Sequence, residues 1–465
     1  MTSTIKVNNI QNQCGQNIIN ENSNTITIGA SGDTIALASG ASQSGFGRTG
    51  TVDWQTGSIK TTDFTAVNGQ GFFVNTTSGT VAVTLPGSPS AGNIVGIADY
   101  AGTAANNNIT INRNGSPFQG TTVNGVINTE RQTTTLVYVD AVQGWVPVNS
   151  NDQGFLAPEY VAATGGTITC CGDFKIHTFT GPGTFCVSNA GNTVGNNQVE
   201  YLVVAGGGSG GRGYYGGGGG AGGFRFASPT LAPATYPAKP LAGPASITAT
   251  VAAFPIAVGA GGAASPNKTN PAADGSGAAS TFSTITSAGG GGGGNRSGPN
   301  CTAGASGGSG GGHASSCAPS TSAAGNTPSV SPPQGQPGGN NPGTPSDRYG
   351  NGGGGATQAG ENAPEPAYGG GYGGDGGGLP AAFGANGVIC GSVRYYSGGG
   401  GGGSRPCKSG GAGGKGGGGE GGQGNDAGTA GTTNSGGGGG GGGMNDYSGG
   451  AGGSGIVVIR YKFQN

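Results

Sequence analysis

Eight cysteines, two histidines and seven glutamates are the residues best equipped for chemistry in this chain, and their spacing argues against most of it. The cysteines are Cys14, Cys170, Cys171, Cys186, Cys301, Cys317, Cys390 and Cys407. No Cys-x-x-Cys pair occurs, and only His177 and His313 could complete a zinc set, so no metal site is expected. Glu361 and Glu365 share one segment, superficially the layout of a glycosidase pair. Pro364 and Pro366 beside them point instead to an exposed acidic loop. Matches to G-x-G-x-x-G follow from composition alone, and Gly414-Lys415 continues into Gly416, so no phosphate loop is expected. No Ser-His-Asp grouping appears, and His177 lies in a strand pattern where a structural role is the default. The expectation is a non-enzyme with no catalytic residue, metal or cofactor.

What remains is glycine, 113 of 465 residues, without the Gly-X-Y period of collagen. From about residue 201 onward, glycine runs alternate with loops of unrelated composition. Two apolar segments bracket them, Val199–Val204 and Ile456–Tyr461. A disordered linker gives no reason for a closing strand, so the second segment is expected beside the first. Oligoglycine can adopt the polyproline-II shape, with no hydrogen bonds inside a strand. Its backbone groups must then bond sideways to neighbours. Ordering each residue costs roughly 1–2 kcal/mol and each net hydrogen bond returns about 0.5–1.5, so such a lattice must be many-stranded. About ten runs can be counted, at 205–223, 257–264, 288–295, 304–312, 350–355, 369–378, 398–403, 410–424, 436–443 and 449–455. Alternating directions would place successive loops at opposite ends of the lattice. Tyr214-Tyr215 could split the first run and change the parity.

Helix patterns are almost absent and short β-branched runs dominate, which predicts an all-β chain. Residues 1–45 look fibrous: Thr25–Gly32 and Thr34–Gly40 echo each other at a spacing of nine, and stacking around an axis, most simply by three chains, would bury them. Residues 46–150 predict a small β-sandwich or barrel with hairpin turns at Asn114-Gly115 and Gln143-Gly144. Residues 151–163 read as a linker. Residues 164–204 read as a β unit paired with 456–463, and 205–455 as the polyglycine-II domain. Charged residues are only 8% of the chain and net charge is −1, so nucleic-acid binding is not expected. No apolar stretch approaches the ~20 residues of a membrane helix, and Met1-Thr2-Ser3-Thr4 does not open a secretory signal.

Ser3–Ile10 with the Thr25–Gly40 repeat resembles the opening of structural fibre proteins of tailed phages. The segments Gly172–Val187, Glu200–Gly208 and Gly452–Tyr461 resemble the glycine-rich domain of such fibres. The run-and-loop layout is similar to the tip adhesin of long tail fibres in T-even-like phages, where a polyglycine-II sandwich carries loops that bind the host receptor. The resemblance implies a virion protein, extracellular after host lysis, binding a host surface protein or polysaccharide. It also implies contacts with other virion proteins through the N-terminus, and a homotrimer. This chain departs from that adhesin in carrying its own fibrous N-terminus. A non-receptor structural protein of head, neck or baseplate is the alternative, and a fibre with depolymerase activity a weaker third.

Loops on a rigid scaffold are where recognition sits, and Tyr, Arg and Asn suit it. Under the ten-run count the outward loops hold Tyr236, Arg296, Asn300, Glu361, Glu365, Tyr368, Arg405, Lys408, Asn445 and Tyr447. The opposite loops hold Asp347, Arg348, Tyr349, Arg394, Tyr395 and Tyr396. The same parity pairs Cys301 with Cys407 and Cys317 with Cys390, and a hairpin would join Cys171 or Cys170 to Cys186. Free, buried thiols are the alternative.

Overall fold

The computed structural model describes residues 9–11, 17–22, 25–28, 52–148, 157–231, 235–264, 275–297, 300–315, 321–340, 349–363 and 369–464. It divides into two compact units, Met1–Leu156 and Ala157–Asn465. The described residues are all-β, broken only by one-turn 3-10 segments at Lys239–Leu241 and Ala381–Phe383. Among the described residues no helix is long and apolar enough to cross a membrane.

In the first unit, Thr25–Ile28 is a strand as expected, paired within its own chain to Asn17–Asn22, which pairs with Asn9–Gln11. The repeat at 34–40 lies outside the described residues. Two further sheets enclose one core of Val, Ile, Leu and Phe side chains around the fully buried Trp145. Hairpins join Ile109–Asn112 to Gly125–Ile127, with Asn114 and Gly115 at positive φ in the connection, and Thr133–Tyr138 to Trp145–Pro147. Gly144 closes the latter at φ 67°, where a Cβ would lie 1.8 Å from the Pro117 carbonyl. The order of the remaining strands was not expected. Asp53–Trp54, Gln70–Val74 and Ile94–Asp99 pair in parallel in one sheet, while Phe64–Thr65, Val81–Thr84 and Ile109–Asn112 do so in the other. The chain therefore switches sheet at each step and winds as a coil. Short strands separated by small-residue loops look the same in sequence whether they fold back or wind on.

The second unit is built on a sheet ordered Thr167–Cys171, Phe174–Phe179, Ile456–Lys462, Gln198–Val204, Phe224–Ala227. Val199 to Val204 pair antiparallel with Tyr461 to Ile456, so the chain's closing strand lies beside the one that opens the glycine region. Apart from the facing Glu200 and Arg460, both are apolar runs because both faces of this sheet are covered. One face packs on a second sheet that begins with Val161–Thr164, a strand inside the segment read as linker. The other face, which includes Phe224 and Phe226, packs on Leu379, Phe383 and Tyr396. Each fully buried Val, Leu, Ile or Phe contributes about 1.5–3 kcal/mol.

Beyond Val204 the chain enters a bundle of extended runs whose lateral hydrogen bonds repeat every third residue. Within 216–223, the N–H groups of Gly216, Gly219 and Gly222 donate to the carbonyls of Gly442, Gly439 and Gly436. Those of Gly217, Gly220 and Gly223 donate to Gly294, Gly291 and Ala288, and those of Gly218 and Ala221 to Asn351 and Gly354. Three other runs donate into it, through Gly208 and Gly211, Ser309 and Gly312, and Gly400 and Gly403. Three residues per turn, no internal bonds and neighbours on every side define a polyglycine-II helix in lateral packing. A Cβ on Gly217, Gly218 or Gly219 would stand 2.0, 2.0 or 2.2 Å from the carbonyl oxygen of Gly312, Gly400 or Gly208. Glycine is there because nothing larger fits.

The bonding also gives direction. Partners of Gly216, Gly219 and Gly222 descend in number, so that run is antiparallel to 436–443 and, by the same test, to 288–294. Alternation holds, but the ten-run count does not. The first run breaks at Tyr214-Tyr215, where Gly211 turns back to bond Gly217. Runs with few glycines also join the lattice: 275–278, 302–306, 334–340, 358–361 and 428–432. In the last, Gly428 and Gly431 face inward while Thr429, Ala430 and Thr432 are exposed. At the lattice edge only every third residue must be glycine.

Candidate binding face

Directional alternation sorts the loops of the second unit into two ends. One end carries the sheets. At the other, the connections 213–215, 295–297 with 300–301, 405–409, 423–427 and 444–448 are stitched together by backbone bonds. Tyr214 N–H donates to the Arg296 carbonyl (3.0 Å), Gly213 N–H to the Tyr447 carbonyl (3.2 Å) and Gly424 N–H to the Ser404 carbonyl (2.9 Å).

Side chains finish this face. The Arg212 guanidinium, largely buried, donates through Nε to the Asp446 carbonyl (3.2 Å), supporting Asn445 and Asp446, which both adopt left-handed backbone (φ 59° and 60°). Asn445 Nδ2 donates to Asn425 Oδ1 at 2.9 Å. Arg296 Nη1 donates to the Ser315 hydroxyl (2.8 Å) and carbonyl (3.2 Å). Arg405 lies over the Tyr349 ring, 5.5 Å from its centroid. His313, buried beneath the face, accepts Gly304 N–H at Nδ1 and donates from Nε2 to the Thr321 carbonyl. Burial lowers its pKa below the usual 6.5, so it serves as a neutral ring. A shallow polar cleft of about 560 Å³ opens between Arg212, Asn425, Asn445, Asp446, Tyr447 and Ser448.

Of the ten residues expected on the outward loops, Arg296, Asn300, Arg405, Lys408, Asn445 and Tyr447 belong to connections at this end. Glu361 is exposed at the end of the run 358–361. Glu365 and Tyr368 lie outside the described residues, as do Asp347 and Arg348 of the opposite set. Tyr236 is a correction: it is buried at the sheet end, edge-on to Phe226 at 6.0 Å. Tyr349 is another, since it sits at the same end as Arg405 and not opposite it. Arg394, Tyr395 and Tyr396 do lie at the sheet end, in the strand Val393–Tyr396, with the Tyr396 hydroxyl donating to the Asn386 carbonyl at 2.7 Å. Arg212, Tyr214, Asn425 and Asp446 were missed. The Tyr214-Tyr215 interruption was the signal that would have found the first two.

The expected disulfides are also corrected. Cys170, Cys171, Cys186, Cys390 and Cys407 are free and exposed, so none of Cys301–Cys407, Cys317–Cys390 or Cys171–Cys186 forms. Cys301 is disulfide-bonded, to a partner outside the described residues. Parity placed Cys301 and Cys407 at one end, where both connections do lie, but a shared end does not bring two thiols into contact.

A family profile described as a glycine-rich domain matches residues 178–462, from within the strand Phe174–Phe179 to the last residue of the strand Ile456–Lys462. The chain belongs to the glycine-rich domain family. No curated protein matches the chain. The match takes in the lattice and the paired strands Gln198–Val204 and Ile456–Lys462, and leaves out Thr167–Cys171.

Proposed function

We propose that this chain is a fibre or tip adhesin of a tailed phage, in which the glycine-rich domain holds loops against a receptor on the host surface. The observation that carries the reading is the convergence of Tyr214, Arg296, Arg405, Asn445 and Tyr447 on one end of a rigid lattice, from segments more than 200 residues apart. Loops gain binding strength when a scaffold orders them beforehand. Contacts are non-covalent, and repetition of the fibre on a particle turns weak sites into firm attachment. No chemistry is assigned to the face; the protein is read as a binder without catalytic function.

A structural virion role is the second reading. The exposed strand Thr167–Cys171, uncharged and at a sheet edge, favours it, because such edges invite pairing with another chain. Fluorescently labelled full-length protein incubated with a panel of bacterial strains separates the two. Adhesin function predicts staining of particular strains that falls at least tenfold with Arg405→Ala plus Tyr447→Ala. Staining of no strain, with antibody labelling on particle heads, would favour the structural role.

A further inference from the structure

We infer that the cleft beside Tyr447 is a binding site for neutral carbohydrate, a refinement that rests on reading this end of the lattice as a recognition face. Four observations support the ligand class.

The first is what the face lacks. Exposed large apolar residues at the sheet end of this unit include the aliphatics Ile168, Val251 and Ile389, whereas on the lattice and its far face they are tyrosines: Tyr214, Tyr372 and Tyr447. The sequences joining the runs at that far end contain no Leu, Ile, Val, Phe or Trp. The centre of a protein-docking patch is mostly apolar, with a polar rim around it. A sugar needs the aromatic face alone, because its C–H groups, polarised by neighbouring oxygens, rest on the negative face of a ring.

The second is what the cleft offers. Asn425, Asn445 and Ser448 line it together with Tyr447, so the cleft presents both donors and acceptors. Amides and hydroxyls can each give and accept, as a sugar's hydroxyls do. The third is charge. Arg212 is turned to the Asp446 carbonyl, Arg296 to Ser315, and Arg405 to the Tyr349 ring. Within the cleft Arg212 is matched by the carboxylate of Asp446, so the lining carries no net charge and favours an uncharged glycan over a sialylated or phosphorylated one. The fourth is order. Asn445 and Asp446 hold successive left-handed conformations, uncommon for residues other than glycine, at the mouth of the cleft. A loop held in this conformation presents its side chains before the ligand arrives.

The test uses full-length protein on an immobilised panel of neutral and acidic oligosaccharides, with affinities measured for any that bind. The expected result is binding to at least one neutral oligosaccharide. Tyr447→Ala should lose at least tenfold, Tyr447→Phe should stay within threefold, and Asn445→Gly, which keeps the backbone at ease, should lose at least fivefold. Binding to none of the neutral members, or binding unaffected by Tyr447→Ala and Asn445→Gly, overturns the inference. Selective binding of acidic members abolished by Arg405→Ala overturns it too. Stained cells separate this from the adhesin reading. Cell binding lost on periodate oxidation of the surface supports both. Binding lost on protease treatment and unmoved by periodate sinks the carbohydrate site and leaves the adhesin intact. Oligosaccharide binding with no cell binding does the reverse.

Discussion

Glu200 and Arg460 stand opposite one another on paired central strands, 260 positions apart in the chain, and form a buried ion pair. Their side chains are 2% and 5% exposed. Thr230 donates its backbone N–H to Glu200 (3.0 Å), and the Arg460 guanidinium lies 3.5 Å from the Phe174 ring centroid. This pair ties the strand that opens the lattice to the strand that closes it. Removing one charge leaves the other buried without compensation, which costs about 3–5 kcal/mol. Glu200→Gln should therefore lower unfolding free energy by that amount in urea titration. Glu200→Leu combined with Arg460→Met should lose less than either single change. A double variant as damaged as the sum would mean that the two side chains act independently.

Acid should loosen both ends of the glycine-rich domain. His177, fully buried, donates from Nδ1 to the Gly165 carbonyl (2.7 Å) and accepts from the Tyr461 hydroxyl at Nε2 (3.0 Å). Burial first, then nearby Lys175, lowers its pKa, against a raising effect of the Gly165 bond, and burial lowers that of His313. Both folded values lie below the unfolded 6.5, so the unfolded chain takes up protons first as pH falls. Stability should be full above about pH 6.5 and decline below it, toward the depressed folded values. Melting temperatures from pH 8 to pH 5 measure this, and His313→Gln should flatten part of the slope. A flat profile in the parent protein would contradict the neutral-ring assignment.

Native alkylation should separate the cysteines. Iodoacetamide applied to folded protein is expected to label Cys170, Cys171, Cys186, Cys390 and Cys407, all exposed and free. Cys301 should react only after reduction. Peptide mass mapping reads the result, and native labelling of Cys301 would refute its bonded state.

The sequence was legible where physics leaves one solution. Val199–Val204 and Ile456–Tyr461 each had to bury two faces, and they bury them against each other and two flanking layers. Alternation of the runs was legible for the same reason, since a chain that re-enters a lattice must reverse. The number of runs was not. Gly428-Thr429-Ala430-Gly431-Thr432 is as much a lattice member as Gly436–Gly443, but at an edge the steric demand falls on every third position and ordinary composition conceals it. That miscount moved Tyr236 and Tyr349 to the wrong ends. The parallel coil of the first unit was hidden because strand alternation reports burial and says nothing of which neighbour supplies the hydrogen bonds.

The lattice itself makes the sharpest prediction. A Cβ on Gly218 meets the Gly400 carbonyl oxygen at 2.0 Å, and one on Gly438 meets that of Gly219 at the same distance. Neither contact can be relieved by rotating a side chain, because both partners are backbone of neighbouring helices. Gly218→Ala should thus cost about 3 kcal/mol or more, the upper range for overpacking. Ala430→Ser, exposed at the edge, should fall within about 0.5 kcal/mol of the parent. Hydrogen exchange gives the companion test. Amides of Gly217, Gly218 and Gly219 all donate to carbonyls of other runs and should exchange slowly in the parent protein. In Gly218→Ala, protection should fall first at Gly353 and Gly400, whose runs border position 218. Free exchange across 206–223 in the parent would mean the runs are not bonded sideways, and the loops would then have no fixed frame from which to bind.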